Sequence, residues 1–164
     1  MDAIKLLTQQ HREVERLFSE IEQADGEEQA DLFAQLADSF LIHSKIEEEI
    51  FYPAAFEEKT EDELREAVEE HLQAKRLLAD MLELEPSDEQ WTAKCSVLRE
   101  DIKHHVQEEE SVLFPQLQKS MTKKRLDELG REMSERAREL EQEEAPRELV
   151  FRETDAAVLP VPEA

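Results

Sequence analysis

The segment His43-Ser44-Lys45-Ile46-Glu47-Glu48-Glu49-Ile50-Phe51-Tyr52-Pro53 returns 62 residues later, without a gap, as His105-Val106-Gln107-Glu108-Glu109-Glu110-Ser111-Val112-Leu113-Phe114-Pro115. In both copies a His and a Glu stand four positions apart, so a helix presents them on one face, one turn from each other. That face is the apolar one. The first copy continues the stripe Leu32, Leu36, Phe40, His43, Glu47, Ile50, and the second continues Trp91, Cys95, Leu98, Ile102, His105, Glu109, Val112. Spacings that alternate three and four mark amphipathic helices.

Two more helices carry the same signature. Ile4, Leu7, Val14, Phe18 and Ile21 form a stripe with His11 in its gap. Leu64, Val68, His71, Lys75, Leu78 and Leu82 form another. Asp2 reads as the N-cap of the first helix and Gly26 as its stop. The second helix is expected from about Glu28 to Tyr52, with Pro53 closing it. Thr60 and Glu63 make a capping box for the third, which Pro86 ends, and Ser87 with Gln90 opens the fourth, which Pro115 ends. Thr122 caps a fifth, shorter helix bearing Leu126, Leu129, Met133, Ala137 and Leu140, and after Pro146 the pattern fails.

The fold expected is all-α: an up-down-up-down four-helix bundle over 1–118, a C-terminal helix packed on or beside it over 119–145, and a flexible or loosely docked tail over 146–164. Composition agrees. Of 164 residues, 39% are hydrophobic and 38% charged, only two are Gly, and aromatics are 5%, which excludes a turn-rich β-sandwich or barrel. The net charge of −23 disfavours nucleic acid and anionic membrane as partners. The lone Cys95 leaves no intramolecular disulfide, no leader-like segment opens the chain, and no uncharged apolar run reaches membrane-spanning length. A cytoplasmic location is the expectation.

A single histidine on an apolar stripe is ordinarily a core residue bonded to a carbonyl. Four of them would need four buried partners. Their heights also agree: His11 lies 15 residues before Gly26 and His43 17 after it, while His71 lies 15 before Pro86 and His105 19 after it. A turn near Glu58 separates His43 from His71 by similar distances. At about 1.5 Å per residue the four share one slab of the bundle. Glu47 and Glu109 stand in the same slab, where an ionised carboxylate needs a cation. His11 matches His71 at an offset of 60, so each helical hairpin contributes two His and one Glu. Two metal ions, each with two His and bridged by both Glu, satisfy that pseudo-two-fold pattern. The metal ligands expected are His11, His43, Glu47, His71, His105 and Glu109. Iron suits mixed imidazole and carboxylate ligands in a bundle core, with manganese and zinc less suited.

The register to Pro115 selects His105 and Glu109 over His104 and Glu108. Glu48 and Glu110 follow the ligands in both halves and read either as a solvated face or as outer acceptors. Ser39 and Asp101, one turn before His43 and His105, are candidates to orient the imidazoles. Cys95 and Trp91 read as core.

Taken together, His11, the two His-x-x-x-Glu-Glu-x-x-x-x-Pro segments and Glu70-His71 resemble the haemerythrin-like, HHE cation-binding family over roughly residues 1–118. The resemblance implies a four-helix bundle with two non-haem iron ions, bridged by carboxylate and by an oxo or hydroxo group. It also implies a small ligand such as O2, H2O2 or NO. Oxygen-carrying members have a further His one turn after the third-helix His; here that position is Lys75, leaving a four-His, two-Glu set. Lys75 either packs its stem while its ammonium reaches water or stands as a cation near outer carboxylates. The function expected is a di-iron protein of oxygen, peroxide or nitric oxide chemistry, catalase-like or peroxide-detoxifying. The alternative is an iron-binding, storage or sensing module without turnover. A metal-free interaction protein would leave the six-residue constellation unexplained. The sequence specifies no protein partner.

Overall fold

The computed structural model describes residues 1–57, 59–143 and 145–163, so the expected turn at Glu58 lies outside the described residues. Helix α1 (Ala3–Gln23) starts as expected, with the Asp2 side chain accepting the Lys5 N–H at 2.9 Å. It ends before Gly26, which instead opens α2 (Gly26–Ile46) with φ of +55°, a left-handed turn that glycine adopts without a Cβ penalty. Helix α4 (Glu61–Leu82) follows Thr60, but the Thr60 hydroxyl does not cap it. That hydroxyl donates back to Ala55 O at 2.6 Å and closes the preceding loop. The helix stops at Leu82, short of Pro86. The N-cap of α5 (Glu89–Glu108) is Asp88, not Ser87, and accepts the Gln90 N–H at 2.8 Å.

The two prolines of the repeat do not end their helices. Helix α2 widens into a π turn over Glu47–Phe51 and continues as α3 (Tyr52–Ala55). Helix α5 widens over Glu109–Leu113 and continues as α6 (Phe114–Ser120). A proline inside a helix removes one N–H and crowds the carbonyl four residues back. The wider turn just before it relieves both, with the Tyr52 N–H bonding Glu47 O and the Phe114 N–H bonding Glu109 O. Each π turn begins at the repeated glutamate and inserts one residue into the helical phase. The apolar face past that point therefore moves on by one. Phe51, Tyr52, Leu113 and Phe114 are buried, whereas Ile50 is half-buried and Val112 is 36% exposed, against the stripe expected from an unbroken α-helix.

Helices α1 with α2 and α4 with α5 pack as two hairpins, and α2 meets α4 between them. The chain is thus a helical bundle without a strand among the described residues. Helix α7 (Lys123–Glu141), capped by Thr122, lies across α1 and buries Leu126, Leu129, Met133 and Leu140. Gly130 makes this possible: a Cβ there would come within 2.1 Å of Met1 O. Beyond α7, where a flexible or loosely docked tail was expected, Pro146–Arg152 forms a 3-10 helix against α2 and buries Val150.

The interior is divided. One apolar cluster gathers Leu7, Ile46, Phe51, Val68 and Phe114, and a second gathers Val14, Phe40, Leu78, Leu98 and Ile102. Between them, on all four long helices, lies a layer of buried polar side chains. No described helix is long and apolar enough to cross a membrane.

Candidate metal centre

The layer contains His11, His43, Glu47, His71, His105 and Glu109, all at most 4% exposed. Their ligand atoms form two groups: His11, His43 and Glu109 in one, Glu47, His71 and His105 in the other, with the atoms of each group within 4.8 Å of one another. Each group pairs two histidines of one hairpin with the glutamate of the other. Among the sequence candidates, His104 stands apart, its side chain 60% exposed.

Every imidazole is oriented in the same way. The Nδ1 of His11 lies 2.7 Å from Glu110 Oε2, that of His43 2.6 Å from Gln10 Oε1, that of His71 2.7 Å from Glu48 Oε2, and that of His105 2.9 Å from Glu70 Oε1. These oxygens only accept, so each Nδ1 carries the proton and donates it outward. Each partner sits on a different helix from its histidine. Glu48 and Glu110 therefore act as outer acceptors and are not a solvated face; Glu48 is 7% exposed. Ser39 and Asp101 do not hold His43 and His105; Gln10 and Glu70 do. The available signal was that these residues directly precede His11 and His71, again at an offset of 60.

With the Nδ1 proton fixed in this way, Nε2 is the lone-pair nitrogen of each neutral imidazole, and all four point inward. His43 Nε2 is 3.0 Å from Glu47 Oε1, His11 Nε2 is 3.1 Å from Glu109 Oε1, and His71 Nε2 is 3.2 Å from both Glu47 Oε1 and His105 Nε2. Among the described residues, His43 Nε2 and both Glu47 oxygens have no hydrogen-bond partner. Lone pairs converging in a dry core repel unless a cation lies among them. Donors about 3.0–3.4 Å apart suit a cation whose bonds are about 2.0–2.2 Å. The residues present therefore fit a metal.

The electrostatics point the same way. Burial, helped by the neighbouring His11, pushes His43 below its ordinary value in spite of the Glu47 charge, and this favours the neutral imidazole that binds a metal. Burial also opposes charge on His105, but Glu109, then Glu47 and Glu70, outweigh it and hold His105 well above its ordinary value. Burial raises Glu47, but His43 foremost, then Glu109 and His105, bring it well below the ordinary carboxylate range. Burial raises Glu48, but the His71 hydrogen bond and the Lys75 charge bring it net below that range.

Sequence reasoning missed Tyr52. Its hydroxyl donates to Glu109 Oε2 at 2.8 Å, and its ring stacks on His71 at 5.5 Å between centroids. Burial, then the Glu109 and Glu47 charges, hold the phenol well above its ordinary value, so it remains a donor. The π turn rotates Tyr52 into the site. In an unbroken α-helix Phe51 would follow Glu47 by one turn instead. The signal in the sequence was the mismatch of the repeat, Tyr52 against Phe114. Cys95 is half-buried with its thiol pushed up to about 11 by desolvation, and it takes no part in the cluster.

A groove of 820 Å3 between α1 and α5, with His11, Arg12 and Glu110 in its lining, leads from the surface to one side of the layer. On the side between α4 and α5, only a 10 Å3 cavity adjoins His71 and His105.

The Hemerythrin HHE cation binding domain family model matches residues 2–117. A protein from Nostoc sp. described as a DNA nickase is 26% identical over 133 residues; the match covers 80% of this chain and 38% of that protein's length. A crystal structure of a hemerythrin HHE cation binding domain-containing protein from Mycobacterium kansasii superposes with a TM-score of 0.77 at 24% identity, covering 97% of this chain and 98% of the other. This last likeness concerns the fold.

Proposed function

The chain belongs to the Hemerythrin HHE cation binding domain family, and from that premise we propose that it is a non-haem di-iron protein of oxygen, peroxide or nitric oxide chemistry. One observation carries the reading: two buried ligand groups related by the internal repeat, with every Nδ1 tethered outward and every Nε2 free toward the centre. His11, His43 and Glu109 would hold one ion, and Glu47, His71 and His105 the other. Glu47 Oε1 lies between His43 and His71, and Glu109 Oε1 lies 3.1 Å from His11 and 3.4 Å from His105, as carboxylates shared between two ions require. Iron is the metal favoured by this mixture of imidazole and carboxylate in a bundle core.

Bound iron would supply one-electron redox capacity and Lewis acidity toward a small ligand. The protein's own residues do the rest. The outer acceptors fix the imidazoles in one tautomer and raise their basicity. Tyr52 keeps a hydroxyl proton at Glu109 Oε2 inside a site closed above and below by apolar clusters. The groove beside His11 gives a diatomic molecule or peroxide a short way in. The nickase description stays with the Nostoc protein, of which the match spans 38%; a net charge of −23 opposes a phosphate backbone.

Anaerobic loading with ferrous iron, elemental analysis and then addition of hydrogen peroxide test the proposal. About two irons per chain and catalytic loss of peroxide are expected for this ligand set. Two irons with no turnover would favour the storage or sensing alternative. A folded protein that retains no iron would overturn the di-iron reading.

A further inference from the structure

We infer that the C-terminal segment closes one half of the metal centre, so that the two ion positions, alike in their ligands, differ in how readily they exchange. This rests on the reading that the six buried residues hold two ions. The chain of contacts begins at His71, whose Nδ1 donates to Glu48 Oε2 at 2.7 Å. Glu48 is fixed in turn by Lys75, whose Nζ lies 2.9 Å from one carboxylate oxygen and 3.0 Å from the other. Lys75 is 2% exposed, and a buried ammonium needs an acceptor for each of its three N–H groups. The third goes to Glu153 Oε1 at 2.9 Å, and Glu153 Oε2 takes Lys45 at 2.9 Å. Glu153 thus ties α4 to α2 through Lys75 and Lys45.

The segment bearing Glu153 is fastened independently. The Arg147 backbone and guanidinium bond Asp38 on α2 at 2.8 and 2.9 Å. Arg76 on α4 bonds Thr154 O at 2.9 Å and Asp155 O at 3.2 Å. Val150 is buried in the apolar cluster.

The other half has the same ligands without this cover. Glu110, the repeat counterpart of Glu48, holds His11, but its cation is Arg12, whose side chain is 53% exposed. Both line the 820 Å3 groove, against 10 Å3 beside His71 and His105. An ion leaving His11, His43 and Glu109 needs only the Arg12–Glu110 pair to swing into water. An ion leaving Glu47, His71 and His105 needs Glu48 to let go of His71 while Lys75, itself anchored by Glu153, holds it.

Cobalt(II)-loaded full-length protein, challenged with a strong chelator and followed by its visible absorption, tests this. Two release phases of equal amplitude are expected. Glu153→Gln, at a partly exposed position that preserves size, should speed the slow phase about tenfold and leave the fast one alone. Arg12→Gln should speed only the fast phase. Thermal melts of the apo forms separate loss of fold from loss of cover: Glu153→Gln keeps an acceptor oxygen for Lys75 but not its counter-charge, so the midpoint should fall while the transition stays cooperative. Release in a single phase, or a slow phase unchanged in Glu153→Gln, would overturn the inference while the di-metal reading stands. Failure to take up two cobalt ions would instead count against that reading.

Discussion

Tyr52 donates its hydroxyl proton to Glu109 Oε2 at 2.8 Å, linking the two halves of a repeat that has no second tyrosine. Phe114 fills the corresponding place in the other half and stacks on His11 with ring centroids 5.9 Å apart. The repeat is thus symmetric in its ligands and asymmetric in its hydrogen-bond donors.

Tyr52→Phe keeps the ring and removes only the donor, leaving a buried carboxylate oxygen short of a partner. The apo-protein should lose about 1–3 kcal/mol, measured by urea unfolding. Metal content should remain that of the parent, because all six ligands are intact. Peroxide consumption by the iron-loaded variant should slow. An unchanged rate would show that the phenol is structural.

The outer acceptors act on metal affinity through the imidazoles. Gln10→Ala removes the oxygen that fixes the His43 tautomer, and Glu70→Ala does the same for His105. Each should weaken metal binding about 10- to 100-fold in a competition assay with a coloured chelator. Asp101→Ala, at a residue that bonds neither histidine, should leave affinity within error.

Loading should release protons. Against its burial, Glu109, Glu47 and Glu70 hold His105 well above its ordinary 6.5 in the apo-protein, so a metal at its Nε2 competes with a proton that those carboxylates favour. Affinity should therefore rise from pH 6 to 8. Calorimetric zinc titrations in two buffers of different ionisation enthalpy should report the proton release.

The same shifts give the apo-protein a stability profile of known sign. A raised folded-state value means that the contribution of His105 is complete below its ordinary 6.5 and is lost as the pH rises from there through the higher folded-state value. Glu47, depressed by its imidazole neighbours, contributes above its ordinary 4.5 and loses that contribution as the pH falls through its folded value. Apo melts should peak in the mildly acidic range. Metal should then raise the midpoint, with about 2.7 kcal/mol added when free metal is a hundredfold above its dissociation constant. Helicity at low temperature should be nearly the same with and without metal, because the two apolar clusters flank the site and do not include it.

Gly130→Ala tests the packing of α7. A methyl group 2.1 Å from Met1 O forces α7 and the start of α1 apart, costing about 1–3 kcal/mol in a thermal melt. Metal content should be unaffected, since α7 supplies no ligand.

Side-chain period and repeat decided a large part of this protein before any packing was considered. Spacings of three and four on stripes interrupted by one His each dictate helices with a polar layer at one height, because helical rise and phase are local properties. The offsets of 60 and 62 bring the six inward residues together for the same reason. Three features were settled only by the tertiary structure. The phase past Glu47 and Glu109 depends on π turns, which arise where a proline must stay inside a helix whose apolar face is already committed; this put Tyr52 in the site and turned Val112 out. The partners of Nδ1 come from neighbouring helices, so Gln10 and Glu70 became acceptors by helix rotation, which no single-helix pattern encodes. Lys75 is buried because Glu48 and Glu153 meet its ammonium from segments 27 residues before it and 78 residues after it, and a charge enters a core only when such distant partners arrive together.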